Sequence, residues 1–247
     1  SMDISQDLTT GIITFSNKFD LSTITTIPLV LSSADGGFES SPISGTAGFE
    51  ANGWTVINDA TSQWFVGVTG ATGQSQFGAY ISSNGGLSAT YGKTSSTSWF
   101  YRDIQLSPFA KKIDISFDLK VGGDSYYDKV RVFNLSEGYQ LTAGQFLPGH
   151  LEEFSNVDWK KIKLSSNVNF STATQSRRIA FGWSNNNGVQ LGDSAKIDNI
   201  NISVDCLYQT LNSPPIFDTP GQEWVLSFPE QQFVRNLKSF SYDTLGI

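Results

Sequence analysis

The sequence has very few residues of the kinds that staple a fold covalently or bind transition metals. Among 247 residues there is one cysteine, Cys206, and one histidine, His150. A single cysteine excludes an intrachain disulfide, and the two residues together are too few for a cysteine–histidine zinc site. A serine–histidine–aspartate triad would have to use His150, which follows a loop-like Leu-Pro-Gly run. A lone loop histidine rarely has this role, so we expect no such triad.

Charge is also scarce, and it is mostly negative. Charged residues make up 16% of the chain, with 16 Lys and Arg against 23 Asp and Glu and a net charge of -7. An acidic surface repels phosphates, so no nucleic-acid partner is expected. The spare carboxylates either hold a hard cation such as calcium or keep the protein soluble. No apolar run reaches about 18 residues, so no membrane insertion is expected.

Apolar residues alternate with polar ones in several segments. In the clearest of them, Ile113, Ile115, Phe117, Leu119 and Val121 alternate with polar residues. Similar alternation around residues 130–132 and 179–183, with Gly- and Asn-rich turns between, is typical of antiparallel strands buried on one face. No segment has an apolar repeat of helical spacing over three turns. The chain is therefore predicted to be an all-β sandwich or barrel.

The ends of the chain differ from its centre. We predict lead-in strands or a linker over residues 1–33, one main domain over 34–206, and a C-terminal extension over 207–247. The extension follows the boundary signal Asn212-Ser213-Pro214-Pro215 and either docks on the main domain or begins a further module. Ser1-Met2 is typical of a tag remnant, so the native N-terminus and any signal peptide are expected to be missing.

A series of short motifs in the centre resembles a known family. In order they are Gly37-Phe38-Glu39, Gly53-Trp54-Thr55-Val56, Trp64-Phe65-Val66-Gly67, Gly78-Ala79-Tyr80-Ile81, Tyr101-Arg102-Asp103-Ile104, Asp128-Lys129-Val130-Arg131-Val132 and Ile197-Asp198-Asn199-Ile200. Their order and spacing over residues 34–205 are similar to those of the cleaved-adhesin and choice-of-anchor J modules of bacterial surface proteins, which are MAM-like.

This resemblance implies several properties. It implies an antiparallel jelly-roll β-sandwich, secretion or cell-surface display, adhesion, and glycan or host-protein binding. It also implies a structural calcium site at Glu39 and Asp198. Asn199 stands where the family pattern has a second aspartate, and Gly37 stands where some relatives have an acidic residue, so the site has fewer charges here.

The residues around Asp198 support this site independently. Ile197 is followed by two polar residues before Ile200, Ile202 and Val204 resume strict alternation. A β-bulge breaks the period in this way and re-aims side chains. Two polar groups aimed inward need a partner, and calcium accepts carboxylate, amide and carbonyl oxygens. The alternative is that Asp198 caps a turn and Glu39 is solvated. Asp35 and Asp59 are further candidate ligands.

Aromatic side chains are candidate ligand-binding residues. Trp99 and Tyr101 have the opposite parity from Ile104 and are predicted to be exposed, and Tyr126 and Tyr127 follow a Gly-Gly turn. Flat rings can stack on the apolar faces of sugars, although such residues more often belong to the core.

Arg102 and Ile104 are two residues apart in a predicted strand, so their side chains lie on the same face. Arg102 is therefore predicted to point inward and to need a carboxylate partner. Asp128 is the candidate partner.

The sequence therefore predicts a non-catalytic, calcium-stabilised binding module. Its partner is a glycan or a host or surface protein, and its ends are candidates for pairing with neighbouring modules or subunits. One alternative is a structural or assembly domain of a bacteriophage virion or tail fibre. Another is a carbohydrate-active enzyme, although no E-x-D-x-x-E arrangement of paired carboxylates is present. The expected location is secreted or cell-surface, with the virion as the alternative.

Overall fold

The computed structural model describes residues 3–7, 12–16, 30–108, 110–169, 171, 173–188 and 192–206. The chain divides into two units. In the unit comprising Ser1–Pro28 and Leu207–Ile247, strands β1 (Asp3–Asp7) and β2 (Ile12–Ser16) form an antiparallel hairpin. The predicted extension over 207–247 lies outside the described residues, and the three-part division of the chain stays a prediction.

The other unit, Leu29–Cys206, contains ten strands among its described residues. They are β3 (Thr55–Ile57), β4 (Gln63–Gly67), β5 (Gly78–Ser82), β6 (Ser96–Leu106), β7 (Ala110–Val121), β8 (Lys129–Ser136), β9 (Glu152–Phe154), β10 (Val157–Asn167), β11 (Gln175–Asn185) and β12 (Ala195–Cys206). Two short helices, α1 (Ser33–Gly36) and α2 (Ala47–Ala51), precede them.

These strands form two five-stranded sheets. Sheet I has the order β10-β7-β12-β5-β4, and sheet II has the order β3-β6-β11-β8-β9. Every pairing described is antiparallel, and from β6 onward the chain passes repeatedly between the sheets. The prediction of an antiparallel jelly-roll sandwich is confirmed.

The core lies between the two sheets and is rich in aromatic rings. Along β7, buried and half-buried residues alternate as the sequence pattern predicts. Phe100 of β6 and Phe181 of β11 stack at 4.9 Å, and Trp64 meets Phe100 edge-on at 4.9 Å. Burying each such ring contributes about 1.5–3 kcal/mol, so this cluster holds the sheets together. In the part of the chain that the structure describes, no helix is long and apolar enough to cross a membrane.

A long connection covers the outer face of sheet II. Residues 137–151, here called the strap, join β8 to β9. The Gly144 N–H donates to the Thr97 carbonyl at 2.8 Å, and Trp99 Nε1 donates to the Thr142 carbonyl at 3.1 Å. Beneath the strap lies a second apolar cluster that includes Trp99 and Phe133. Sheet II is therefore buried on both faces along this stretch.

Candidate functional site

Glu39 is placed by a short helix that packs tightly on β12. The Ser32 hydroxyl caps α1 (Ser33–Gly36) by accepting from the Asp35 N–H at 2.9 Å. A methyl group on Gly36 would lie 1.7 Å from the Ile200 carbonyl oxygen, so only glycine allows this approach. The next turn contains Phe38 at φ 59°, whose ring is fully buried. This left-handed residue inserts its ring into the core while Glu39 points to the neighbouring loop.

Asp198 is placed by a β-bulge. The register of β12 against β7 shifts between Asp198 and Asn201, and Asn199 has φ 51°. Ile197 and Ile200 on either side are both buried, at 0% and 1% exposure. The predicted bulge is confirmed, and it turns Asp198 into the protein, where its exposure is 0%.

One loop binds the Glu39 carboxylate. Glu39 Oε1 accepts hydrogen bonds from the backbone N–H groups of Gln76 and Phe77 at 2.6 and 2.8 Å. The same oxygen lies 2.8 Å from the Ser75 hydroxyl. This loop follows the 3-10 turn Val68–Gly70 and leads into β5.

The same loop also binds Asp198. Asp198 Oδ2 accepts from the Thr72 N–H at 2.8 Å, and Oδ1 accepts from the Asn199 N–H at 2.6 Å. Oδ1 also lies 3.3 Å from the Ser75 hydroxyl. Glu39 and Asp198, which are far apart in sequence, therefore meet at one side chain.

Three acceptor oxygens lie around the Ser75 hydroxyl, which has a single proton. The hydroxyl lies 2.8 Å from Glu39 Oε1, 2.8 Å from the Phe77 carbonyl oxygen and 3.3 Å from Asp198 Oδ1. A serine hydroxyl has one proton to donate, so it cannot satisfy three acceptors fully. The surplus of oxygen lone pairs makes this point of the fold attractive to a cation.

The electrostatics of Asp198 agree with this view. Burial raises the pKa of Asp198 to about 6, and the nearby Asp118 carboxylate acts in the same direction. Hydrogen bonds from Thr72, Asn199 and Ser75 oppose the rise but do not cancel it. Among the described residues, neither Asp198 nor Glu39 has an ion-pair partner, although Asp118 is paired with Lys161 at 3.3 Å. At neutral pH the site therefore holds a buried charge that no described side chain neutralises.

The donor set suits calcium better than a transition metal. In the described ranges, no group of three or more His, Cys, Asp or Glu side chains is arranged to hold a metal ion. Two carboxylates and the Phe77 carbonyl nevertheless surround Ser75, and a methyl group on Gly37 would lie 3.7 Å from Asn199 Oδ1 and 3.5 Å from Glu39 Cγ. Carboxylate, carbonyl and amide oxygens at flexible geometry are the ligands that calcium accepts.

The other two candidate metal ligands are engaged elsewhere. Asp35 Oδ2 lies 3.2 Å from Arg102 Nη2, and its Oδ1 accepts from the Ser40 hydroxyl. The Arg102 and Ser40 contacts outweigh partial burial and lower the pKa of Asp35. Asp59 Oδ2 accepts from the Thr97 N–H at 3.1 Å, beside the strap. No described hydrogen bond joins either carboxylate to the loop that binds Glu39 and Asp198, and a ligand role for Asp35 or Asp59 stays a prediction.

The prediction that Asp128 is the partner of Arg102 is wrong. Arg102 pairs with Asp35, donates to the Asn52 carbonyl at 2.8 Å, and lies over the Trp54 ring at 5.9 Å. Asp128 instead accepts from the Asp124 N–H within its own turn. The inward direction of Arg102 agrees with its position in the alternation along β6. That alternation gives the face of the strand but does not specify which segment of the chain lies opposite.

Trp99 is not an exposed aromatic. Its exposure is 3%, its ring packs edge-on against Phe133 at 5.4 Å, and a Cβ on Gly182 would lie 2.4 Å from Trp99 Cζ3. The alternation correctly placed Trp99 on the outer face of sheet II. Its predicted exposure is wrong because the strap covers that face.

The three tyrosines differ in exposure. Tyr101 is half-buried, and the Arg178 guanidinium lies 3.8 Å from its ring centroid, so one ring face is covered. Tyr126 and Tyr127 are 74% and 51% exposed. These last two rings are the accessible members of the predicted set.

The sequence did not predict the loop that joins Glu39 to Asp198. Thr72, Ser75 and Phe77 contribute through backbone groups and one hydroxyl, which give no residue-type signal of their own. The only hint is the Gly-rich run Gly70-Ala71-Thr72-Gly73 before β5, which indicates a turn without indicating what the turn binds.

Comparison with known proteins identifies no family. No protein-family model matches the chain, and no curated protein matches it in sequence.

Several solved structures are similar in shape at low identity. The enzymatically active domain of Bacteriophage CBA120 tailspike protein 4 is 12% identical with a TM-score of 0.42, over 71% of this chain and 21% of that one. TmCBM61 in complex with β-1,4-galactotriose is 13% identical with a TM-score of 0.37, over 69% and 96%. The K1 cleaved adhesin domain of Lys-gingipain from Porphyromonas gingivalis W83 is 14% identical with a TM-score of 0.36, over 62% and 90%. The chain thus spans about a fifth of the tailspike chain.

Proposed function

We propose that the unit Leu29–Cys206 is a non-catalytic binding module of a secreted or cell-surface protein. In this proposal calcium, held by Glu39 and Asp198, stabilises the module, and a glycan or a host or surface protein is its partner. The observation that carries the calcium proposal is the meeting of two carboxylates and a carbonyl at the single hydroxyl of Ser75.

Calcium would have a structural role at this position. Glu39 follows α1 near the start of the unit, Asp198 lies in β12 near its end, and Ser75 belongs to the loop between them. A cation shared by these oxygens would link three distant segments of the chain and neutralise the buried charge of Asp198. Because an unfolded chain holds no such site, binding would add directly to the free energy of unfolding.

The described carboxylates give little support to acid–base catalysis. Hydrogen bonds and charge from Lys129 and Arg131 lower the pKa of Glu153, and Ser165 and Lys112 lower that of Asp114 despite partial burial. Such groups are ionised at neutral pH and are poor general acids. Asp198 has the raised pKa that an acid would need, but its side chain is fully buried and out of reach of a polymeric substrate.

The calcium proposal is tested by melting the protein in calcium and in chelator. At a calcium concentration 100 times the Kd, stabilisation is about 2.7 kcal/mol, and each kcal/mol raises the Tm of a domain of this size by about 2–4 °C. We expect Glu39→Gln and Asp198→Asn to abolish this rise. Glu50→Gln, an exposed acid on α2, is the matched control and should keep it. An equal Tm in calcium and chelator for the parent protein would contradict the proposal.

The binding role is tested separately, by probing an oligosaccharide array and a panel of host surface proteins with the full chain in the presence of calcium. Binding that saturates and is competed by soluble ligand would support the module's role. If the full chain binds neither the array nor the panel while its Tm still depends on calcium, the binding role is refuted. The protein would then be a calcium-stabilised structural domain.

A further inference from the structure

The turn between β7 and β8 presents two large rings to solvent. Residues 122–128, here called the tip, contain Tyr126 at 74% exposure and Tyr127 at 51%. Their ring centroids are 4.7 Å apart and their planes make an angle of 75°. Each ring therefore forms one wall of a corner, and neither is folded beneath the turn as a core residue would be.

Hydrogen bonds within the turn, from backbone N–H groups to aspartate side chains and one carbonyl, order the tip. The Asp124 N–H donates to Asp128 Oδ2 at 2.7 Å, and the Asp128 N–H donates to the Asp124 carbonyl at 2.9 Å. Asp124 Oδ1 also accepts from the Tyr126 N–H at 2.7 Å. Asp128 is only 1% exposed, and it packs so closely on Gly123, at φ 92°, that a Cβ there would lie 2.7 Å from its Oδ2. Rings on an ordered turn lose little entropy when a ligand binds.

A depression with polar and apolar walls opens at the base of the tip. It has a volume of about 290 Å³, and its lining includes Gly122 of the tip together with Lys120, Asn156, Asp158 and Asp193. These side chains offer an amide, an ammonium group and two carboxylates for hydrogen bonds. Gly122 thus belongs both to the turn that carries the two tyrosines and to the lining of a depression whose polar groups can take hydroxyls.

Two lysines and two aspartates balance in charge at and beside the depression, and the tip adds negative charge. Lys120 Nζ lies 3.3 Å from Asp158 Oδ1 and 4.0 Å from Asp193 Oδ2, and Lys196 Nζ lies 3.5 Å from Asp193 Oδ2. The tip adds the carboxylates of Asp124 and Asp128. Both lysines therefore already have carboxylate partners, so an anionic ligand would meet net negative charge.

We infer that the tip and the depression form one binding site for a neutral glycan. This inference rests on the proposed function and specifies its ligand class. The apolar face of a pyranose ring stacks on Tyr126 or Tyr127, and hydroxyls of the adjoining sugar reach Asn156 and Asp193. A neutral, polyhydroxylated ligand fits both an aromatic wall and a charge-balanced set of polar groups.

The inference is tested on an immobilised array of neutral, carboxylated and sulfated oligosaccharides, probed with the full chain. We expect binding to neutral members. Tyr126→Ala and Tyr127→Ala should each weaken binding to the strongest neutral member about tenfold or more. Tyr126→Phe, which keeps the ring, should bind within about threefold of the parent if stacking is the main contribution. Tyr139→Ala on the strap, a third exposed tyrosine, is the control and should bind as the parent does.

The outcomes separate this inference from the proposed function. If the parent binds neutral oligosaccharides and both alanine variants bind equally well, the site lies elsewhere and only the inference falls. If the parent prefers anionic oligosaccharides, the charge argument is refuted. If the parent binds no oligosaccharide, the glycan role itself fails. Melting each variant in calcium checks that a loss of binding is not a loss of folding.

Discussion

Replacing Asp198 by asparagine should change stability in opposite directions with and without calcium. The amide has nearly the same size as the carboxylate, so the bulge and the packing around Ile197 and Ile200 need not change. What changes is the charge in a fully buried position. We expect the variant to be more stable than the parent in chelator and less stable in saturating calcium.

The metal-free magnitude follows from the raised pKa. Because the pKa of Asp198 rises from 3.8 to about 6, keeping it ionised at neutral pH costs about 3 kcal/mol relative to the unfolded chain. Asparagine avoids this cost. It retains one carbonyl oxygen, so one of the N–H groups of Thr72 and Asn199 loses its acceptor, at about 1–2 kcal/mol. The variant should therefore be about 1–2 kcal/mol more stable in chelator.

Calcium reverses the order. The parent gains about 2.7 kcal/mol at a calcium concentration 100 times its Kd, whereas the variant has lost a ligand charge and gains little. At this calcium concentration the parent should then be about 0.7–1.7 kcal/mol more stable than the variant. Such a reversal of the order of stability between chelator and calcium is not expected of a residue whose only role is packing.

The assay is urea unfolding of both proteins at neutral pH, with calcium and with chelator, followed by tryptophan fluorescence. Ser203→Ala on the outer face of β12 controls for substitution in that strand. A variant that is less stable than the parent in chelator would refute the argument from burial. Equal gains from calcium in both proteins would refute the assignment of Asp198 as a ligand.

Three further predictions concern pH and packing. In chelator, Asp198 binds its extra proton in the folded state, so its stabilising contribution is complete below about pH 4 and is lost as pH rises through about 6. The unfolding free energy of the parent minus that of Asp198→Asn should fall over this window, and a flat difference would contradict the pKa. Gly182→Ala should lower the free energy of unfolding by about 1–3 kcal/mol and alter the near-ultraviolet circular dichroism, because its Cβ would lie 2.4 Å from Trp99. An unchanged spectrum would mean that Trp99 and the strap can move to make room for the methyl group. Asn52→Ala should cost about 2–3 kcal/mol in urea unfolding, because it removes a buried side chain that donates to the Gly48 carbonyl at 2.8 Å; a loss below about 0.5 kcal/mol would show that water replaces it.

Strand β7 was predictable because one of its faces is buried and the other is in contact with solvent. Along β7, Ile113 to Val121 alternate strictly, and the structure buries the expected members. The bulge at Asp198 was predictable for the same reason, since two polar residues in succession interrupt a regular period. These are local signals, which neighbouring residues determine.

What the sequence could not predict depends on segments far away along the chain. The outer face of β6 is predicted to be exposed, but Thr142 of the strap, 43 residues further along the chain, bonds to Trp99 and helps to bury it. Arg102 needs a carboxylate, but parity does not say that α1 rather than the tip lies opposite it. The loop that contains Ser75 binds Glu39 and Asp198 mainly through backbone N–H groups, which carry no residue-type signal.

The strap changes how substitutions in sheet II should be chosen. Outward-facing positions of a sandwich are normally where a designer places polar residues freely, and those of β7 fit this rule. On β6, β8 and β11 the outward positions Trp99, Phe133 and Ala180 obey the volume limits of an interior instead. Residues 137–151 also cannot be exchanged for a short hairpin turn, because two large rings would then form an adhesive apolar patch on the shortened protein. A compact version of this scaffold would need polar replacements beneath the strap before the strap itself is removed.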